Sequence, residues 1–118
     1  MLPKKFRLKV VEFYKNPQKS LKFVSVFFLF MLKKRESGNA RFCITVPKSV
    51  DKRSAYRHRT KRIIVEVIRG YLDRYVKPAD ILIRMKKLVG PKDKNLLCRE
   101  IERLLPYEKP YPVFDKPL

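Results

Sequence analysis

The residues of this chain best suited to chemistry are cations rather than nucleophiles. Residues 48–62 read KSVDKRSAYRHRTKR and hold Lys48, Lys52, Arg53, Arg57, Arg59, Lys61 and Arg62 against a single acid, Asp51. Wound on a helix at about 100° per residue, Arg53, Arg57 and Lys61 share one side, and Arg59 and Arg62 share another. Like charges four residues apart destabilise a helix by a few tenths of a kcal/mol per pair. The run is therefore not assembled for the helix's own stability. Its chemistry is anion recognition. Guanidinium forks grip phosphate bidentately and stack on bases, and the amides at a helix start add partial positive charge.

Nothing in the sequence accompanies this run that could make or break a covalent bond. One histidine and two distant cysteines, Cys43 and Cys98, supply no zinc-ligand set. There is no Ser/His/Asp arrangement, and the eleven acids form no local group of the kind a two-metal nuclease needs. His58, set among arginines, would be a poor general base. The two cysteines read as reduced thiols of a cytosolic protein.

Charge points to the partner. Thirty Lys and Arg against eleven acids give a formal charge of +19. Residues 1–62 carry 18 basic and three acidic side chains, hence +15, whereas residues 63–118 carry 12 and eight, hence +4. A compact domain so charged repels itself unless a polyanion neutralises it. Nucleic acid is the obvious one, and an anionic membrane surface is the other. The most apolar run, FVSVFFLFML at residues 23–32, falls well short of the ~20 residues of a membrane helix. It also lacks the polar face of an interfacial one. The N-terminus, MLPKKFRLK, has no apolar stretch resembling a secretory signal. A cytoplasmic protein with no membrane contact and no stable protein partner is expected.

The length and the hydrophobic share of 45% predict one domain around one core. Residues 4–15 place Phe6, Val10, Phe13 and Tyr14 on one stripe and predict a first helix, stopped before Pro17. Residues 21–32 predict a long strand, apolar on both faces and central in its sheet. Ser37-Gly38-Asn39 is a hairpin signal, and residues 41–46 return as a second strand ended by Pro47. Residues 52–75 form the long helix, with Ser49 or Asp51 as N-cap and an apolar stripe from Ile63 to Tyr75 as anchor. Gly70 falls inside it, at a cost of about 1 kcal/mol relative to alanine. Residues 80–85 give a third strand and residues 93–105 a last amphipathic helix. The expected fold is a small single-domain α/β sandwich, α-β-β-α-β-α, with a β-α-β crossover through the long basic helix. Residues 1–105 make up the domain, and residues 106–118 form a tail holding four of the nine prolines.

The run VPKSVDKRSAYRHRTKR at residues 46–62 resembles the signature of the bacterial ribonuclease P protein subunit. In that family a strand ending in Val-Ser-Lys-Lys leads into a helix carrying Arg-Asn-Arg-x-Lys-Arg. FRLKVVEF at residues 6–13 is similar to the family's N-terminal "RL…(D/E)F" element, and DILI at residues 80–83 to its "DIVV"-like strand. Here His58 stands in place of the usual Asn, Pro47 in place of Ser, and Ser49 in place of the second Lys.

The resemblance implies a division of labour. The RNA subunit, with bound Mg2+, removes the 5′ leader of precursor tRNA. The protein, inactive alone and binding no cofactor itself, holds that catalytic RNA through Lys48, Lys52, Arg53, Arg57, His58, Arg59, Lys61 and Arg62. It also holds the single-stranded leader in a cleft between the sheet and the first helix. Unpaired bases stack on aromatic rings for about 1–3 kcal/mol each. Phe13 is the best-matched ring for that cleft, with Phe6, Tyr14 and Phe28 as further candidates. Phe27 and Phe28, adjacent on a strand, are expected to face opposite sides of the sheet. Composition alone equally allows a structural RNA-binding protein of the ribosomal kind with no part in tRNA processing.

Overall fold

The computed structural model describes residues 2–72 and 76–106. A 3-10 turn at Lys4–Phe6 precedes helix α1 (Val10–Lys15), followed by strands β1 (Leu21–Val24), β2 (Phe28–Lys34) and β3 (Arg41–Thr45). Helix α2 (Ser54–Arg69), strand β4 (Ala79–Met85), a second 3-10 turn at Pro91–Asp93 and helix α3 (Lys94–Leu104) complete it. The four strands form one sheet in the order β1-β2-β4-β3. Strands β1/β2 and β2/β4 are antiparallel, whereas β3/β4 are parallel and joined through α2. The α/β class and the β-α-β crossover through the basic helix are as the sequence predicts.

The order gains one strand, because residues 21–32 do not run straight. The chain reverses at Ser25–Phe28, where the Ser25 amide donates to the Phe28 carbonyl at 2.8 Å. The Ser25 Oγ accepts from the amides of Phe27 and Phe28 at 2.9 and 3.2 Å. The end of β4 fastens this turn: the Lys86 amide donates to the Phe27 carbonyl, and its Nζ to that of Ser25. A two-residue loop of Val26 and Phe27 contains none of the Gly or Asn that mark such turns. The Ser25 hydroxyl and the contacts from Lys86 hold it instead. Strand β2 takes the central place expected of the whole run, and β1 becomes an exposed edge.

The Ser-Gly-Asn signal also needs correction. Gly38 does turn the chain, at a φ of +94° in the region that favours glycine. However, β2 and β3 do not pair with each other, because β4 lies between them. Asp80, at the start of β4 and 3% exposed, accepts from Arg41 Nε and Nη2 at 2.9 and 3.0 Å. Arg35 Nε lies 3.8 Å from it on the other side of the connection. The hydrogen bond to Asp80 raises the Arg41 pKa further. This ion pair ties β4 into the gap.

The sheet separates two clusters. On one face Phe28, Phe30 and Leu32 of β2, Ile81, Ile83 and Met85 of β4, and Phe42 and Ile44 of β3 meet α2 and α3. From α2 come Ile63, Ile64, Val67 and Ile68, and from α3 come Leu97 and Ile101. Fully enclosing side chains such as Ile64 and Ile68 stabilises the fold by about 1.5–3 kcal/mol each, which anchors the basic end of α2. On the other face Leu8, Phe13, Met31 and Leu82 form a smaller cluster. The strands alternate between the two, as the period of two requires.

Several element boundaries move. The predicted first helix is a 3-10 turn and a six-residue α1, because Arg7 bridges to Phe42 and the Leu8 amide donates to the Phe42 carbonyl at 2.9 Å. Helix α2 ends at Arg69 with Gly70 as its C-cap rather than inside it. Tyr75, the predicted end of the helix, and residues 107–118 of the tail lie outside the described residues.

Candidate nucleic-acid interface

Helix α2 starts one residue after Arg53, and Asp51 organises that start without being the N-cap. Its Oδ1 accepts from the Arg53 amide at 2.8 Å and from Arg53 Nε at 3.0 Å, and its Oδ2 accepts from Arg53 Nη2 at 2.8 Å. These bonds from Arg53 hold the Asp51 carboxyl down at about 2, from 3.8. Arg57 Nη1 reaches back to donate to the carbonyls of Asp51 and Lys52 at 3.0 and 2.8 Å. The Arg53 guanidinium lies 3.8 Å from the Tyr56 ring centroid and that of Arg59 lies 5.2 Å from it. One turn on, the Thr60 hydroxyl, buried, accepts from the Val89 amide at 3.2 Å and fixes the helix against the β4–α3 connection.

The seven cations thus divide into two kinds. Arg53, itself exposed, and the half-buried Arg57 are engaged in building the helix start. Lys48, Lys52, Arg59, Lys61 and Arg62 are exposed, as is His58. The side of α2 toward β3 carries His58, Lys61, Arg62 and Val65, whereas Arg59 turns toward Tyr56. The first group borders a groove of about 640 Å³ whose floor includes Leu8, Phe42 and Cys43 and whose far side includes Arg7. Burial pushes the Cys43 thiol up, against the opposing pull of the Lys61 charge.

The aromatic candidates fare unequally. Tyr14 is 58% exposed, standing edge-on to Phe13 with ring centroids 5.4 Å apart. Phe6 is partly buried against the larger core. Phe13 is 1% exposed and Phe28 is 0% exposed, so neither offers a ring face to a base. Both are drawn in by the clusters on the two faces of the sheet. Phe27 and Phe28 do not face opposite sides: Phe27 belongs to the turn and enters the same cluster as Phe28. Beside α1 a second concavity, of about 530 Å³, is bordered by Tyr14, Lys19, Lys22 and Lys33.

Sequence reasoning passed over four residues. Arg7 donates through Nε to the Leu2 carbonyl at 2.8 Å while bordering the groove. Tyr56 could have been found, since it stands three residues from Arg53 on one side and from Arg59 on the other, the spacing of helical neighbours. Lys33 is buried, and its contacts to α1 cross 17 and 20 residues of sequence. Val65 continues the groove-facing stripe of α2. Among the described residues no group of three or more His, Cys, Asp or Glu could hold a metal ion. No helix among them is long and apolar enough to cross a membrane.

Fold and surface together define a small basic α/β domain organised around one cationic helix beside an edge strand. Residues 2–107 match the Ribonuclease P family, and the chain belongs to it. Solved structures agree on the fold. The Staphylococcus aureus RNase P protein superposes with a TM-score of 0.66 at 18% identity, over 86% of this chain and 93% of that one. The Thermotoga maritima RNase P protein does so with a TM-score of 0.57 at 21% identity, over 83% and 82%. No curated protein matches the chain.

Proposed function

We propose that the chain is the protein subunit of a ribonuclease P ribonucleoprotein. In this reading it binds the catalytic RNA and the 5′ leader of precursor tRNA, and so promotes metal-dependent 5′ maturation. The observation that carries the reading is the family match over residues 2–107, which includes the whole cationic run. The exposure of Lys48, Lys52, His58, Arg59, Lys61 and Arg62 supports it, since phosphate-binding side chains must reach solvent. Hydrolysis is the work of the RNA and its Mg2+. The protein raises the local concentration of substrate and neutralises phosphates, which lowers the metal requirement.

For the leader, the supporting surface is the α1 side of the molecule, where Tyr14 offers an exposed ring beside Lys19 and Lys22. The neighbouring α2 groove adds an apolar floor with His58, Lys61, Arg62 and Arg7 at its border. The test is reconstitution. Purified protein should cleave no precursor tRNA by itself and should stimulate cleavage by a bacterial-type catalytic RNA at low magnesium. Cleavage without any RNA subunit, or the absence of stimulation, would reject the proposal.

A further inference from the structure

Four side chains at the start of α2 are linked in series: Asp51, Arg53, Tyr56 and Arg59. Asp51 grips the Arg53 guanidinium with both carboxylate oxygens, at 3.0 Å to Nε and 2.8 Å to Nη2, and also accepts from the Arg53 amide at 2.8 Å. The guanidinium so fixed lies over the Tyr56 ring, 3.8 Å from its centroid. Three residues beyond the ring, Arg59 brings its own guanidinium over it at 5.2 Å.

The first link is a bidentate, charge-assisted pair, which fixes geometry as well as adding energy. Because the Arg53 side chain is exposed, the pair adds little to stability. What it supplies is orientation. Two guanidinium groups near one another repel, and the negative face of the half-buried Tyr56 ring offsets that repulsion.

Arg59 has use for such a guide. Its guanidinium is exposed and makes no hydrogen bond or ion pair among the described residues, so the ring is its contact. Of the two arginines that flank His58, Arg57 is tied to the carbonyls of Asp51 and Lys52, whereas Arg59 keeps its donors open for a ligand. A long side chain that is immobilised only on binding lowers affinity by about 2- to 10-fold. A guanidinium already held over a ring has lost part of that freedom in advance.

We propose that Tyr56 is a positioning residue for RNA binding: steadied by the Asp51–Arg53 pair, its ring holds the Arg59 guanidinium ready for a phosphate. The inference rests on the reading of α2 as the RNA-binding helix. It also gives Asp51, the one acid in the cationic run, a part in binding a polyanion.

Asp51→Asn separates position from charge. It keeps an oxygen for the Arg53 amide, breaks the two-oxygen grip, and adds one to the formal charge of +19. Charge alone predicts tighter RNA binding, whereas loss of positioning predicts binding weaker by about 2- to 10-fold.

The experiment measures affinity for a bacterial-type catalytic RNA and for a plain duplex RNA over a range of salt, with every variant checked for folding by circular dichroism. Tyr56→Leu should weaken binding by about 2- to 10-fold at an unchanged salt slope, because no phosphate contact is lost. Tyr56→Phe, which restores the ring, should recover that loss. In an Arg59→Ala background Tyr56→Leu should change affinity by less than about 2-fold, since its effect passes through Arg59. An equal loss in both backgrounds overturns the proposal, because the ring then acts on RNA directly or on the fold. Unchanged or tighter binding by Asp51→Asn overturns it, and so does a Tyr56→Phe variant as weak as Tyr56→Leu. In the RNA-free protein the Nε–H resonance of Arg59 should carry a ring-current shift that Asp51→Asn reduces, and its absence in the parent overturns the proposal whatever the affinities. Should Tyr56→Leu not fold, Asp51→Asn and this resonance decide the matter. A parent that binds the duplex but not the catalytic RNA rejects the ribonuclease P reading, and the duplex affinities then decide the role of Tyr56. A parent that binds neither overturns both.

Discussion

The ammonium group of Lys33 donates to the carbonyl of Phe13 at 2.6 Å and lies 4.3 Å from the centroid of the same residue's ring. A second bond, of 2.8 Å, goes to the carbonyl of Asn16. Lys33 is 6% exposed, and no ion pair with an acid is formed by it among the described residues. One side chain of β2 therefore terminates α1, satisfies two of its last carbonyls and covers the ring that anchors the helix to the sheet. A cation at a helix C-terminus is favoured by the dipole as well.

Replacing Lys33 with Met should lower stability by about 1–3 kcal/mol, because two carbonyls lose their donor in a poorly hydrated place. Urea denaturation followed by circular dichroism measures this. A midpoint equal to that of the parent would show that α1 is held by Phe13 alone.

The start of α2 should respond to acid in a defined window. Asp51 has a carboxyl depressed from 3.8 to about 2 by its bonds with Arg53. An acid whose folded value is lowered contributes its stabilisation in full above the unfolded value and loses it as pH falls toward the folded one. The stabilisation from the Asp51–Arg53 arrangement should thus be complete from neutral pH down to about 4 and decline between roughly 4 and 2, while the carboxyl itself titrates with a midpoint of about 2. Carbon-detected NMR titration of the Asp51 carboxyl tests this directly, and a midpoint near the ordinary carboxylate value would refute it.

The two kinds of cation should separate in RNA binding. Arg59→Ala, Lys61→Ala and Arg62→Ala together should flatten the slope of log affinity against log salt by about 2–3. Being exposed, they should each change stability by no more than about 0.5 kcal/mol. Arg57→Ala should instead destabilise the protein by about 1 kcal/mol, through loss of its bonds to the Asp51 and Lys52 carbonyls. Equal salt slopes for parent and triple variant would remove this face of α2 from the interface.

Tyr14 should matter to substrate rather than to folding. Its ring is mostly exposed, so Tyr14→Ala should leave the denaturation midpoint almost unchanged. If the leader stacks there, affinity for precursor tRNA with a leader should fall by about 1–3 kcal/mol, while affinity for leaderless tRNA stays constant. An equal loss for both substrates would place the leader elsewhere.

Much of the architecture was legible because hydrophobic periodicity reports burial directly. The stripe Ile63, Ile64, Val67, Ile68 predicts α2 and its anchored face, and all four are buried. The alternation of Phe42 and Ile44 predicts a strand with one face in the core, and both are enclosed. What failed were features held by distant partners. The turn at Ser25–Phe28 contains neither Gly nor Asn, and beside the local bonds of Ser25 it depends on Lys86, some 60 positions later. Phe13 and Phe28 look like ring candidates in a one-dimensional stripe, and the sheet draws both inside.

The sequence by itself determined the charge, the positions of the cations, the α/β class and the family signature, since all of these are properties of residue type and local spacing. Only the tertiary structure decided that β4 lies between β2 and β3, because strand pairing is settled by contacts such as Asp80 with Arg41, 39 residues apart. It likewise decided which cations are held by hydrogen bonds at the helix start. Arg53 and Arg57 have the same chemistry as Arg59 and Arg62. They differ only in the carboxylate and carbonyls that the folded loop brings within 3.0 Å of their guanidinium groups.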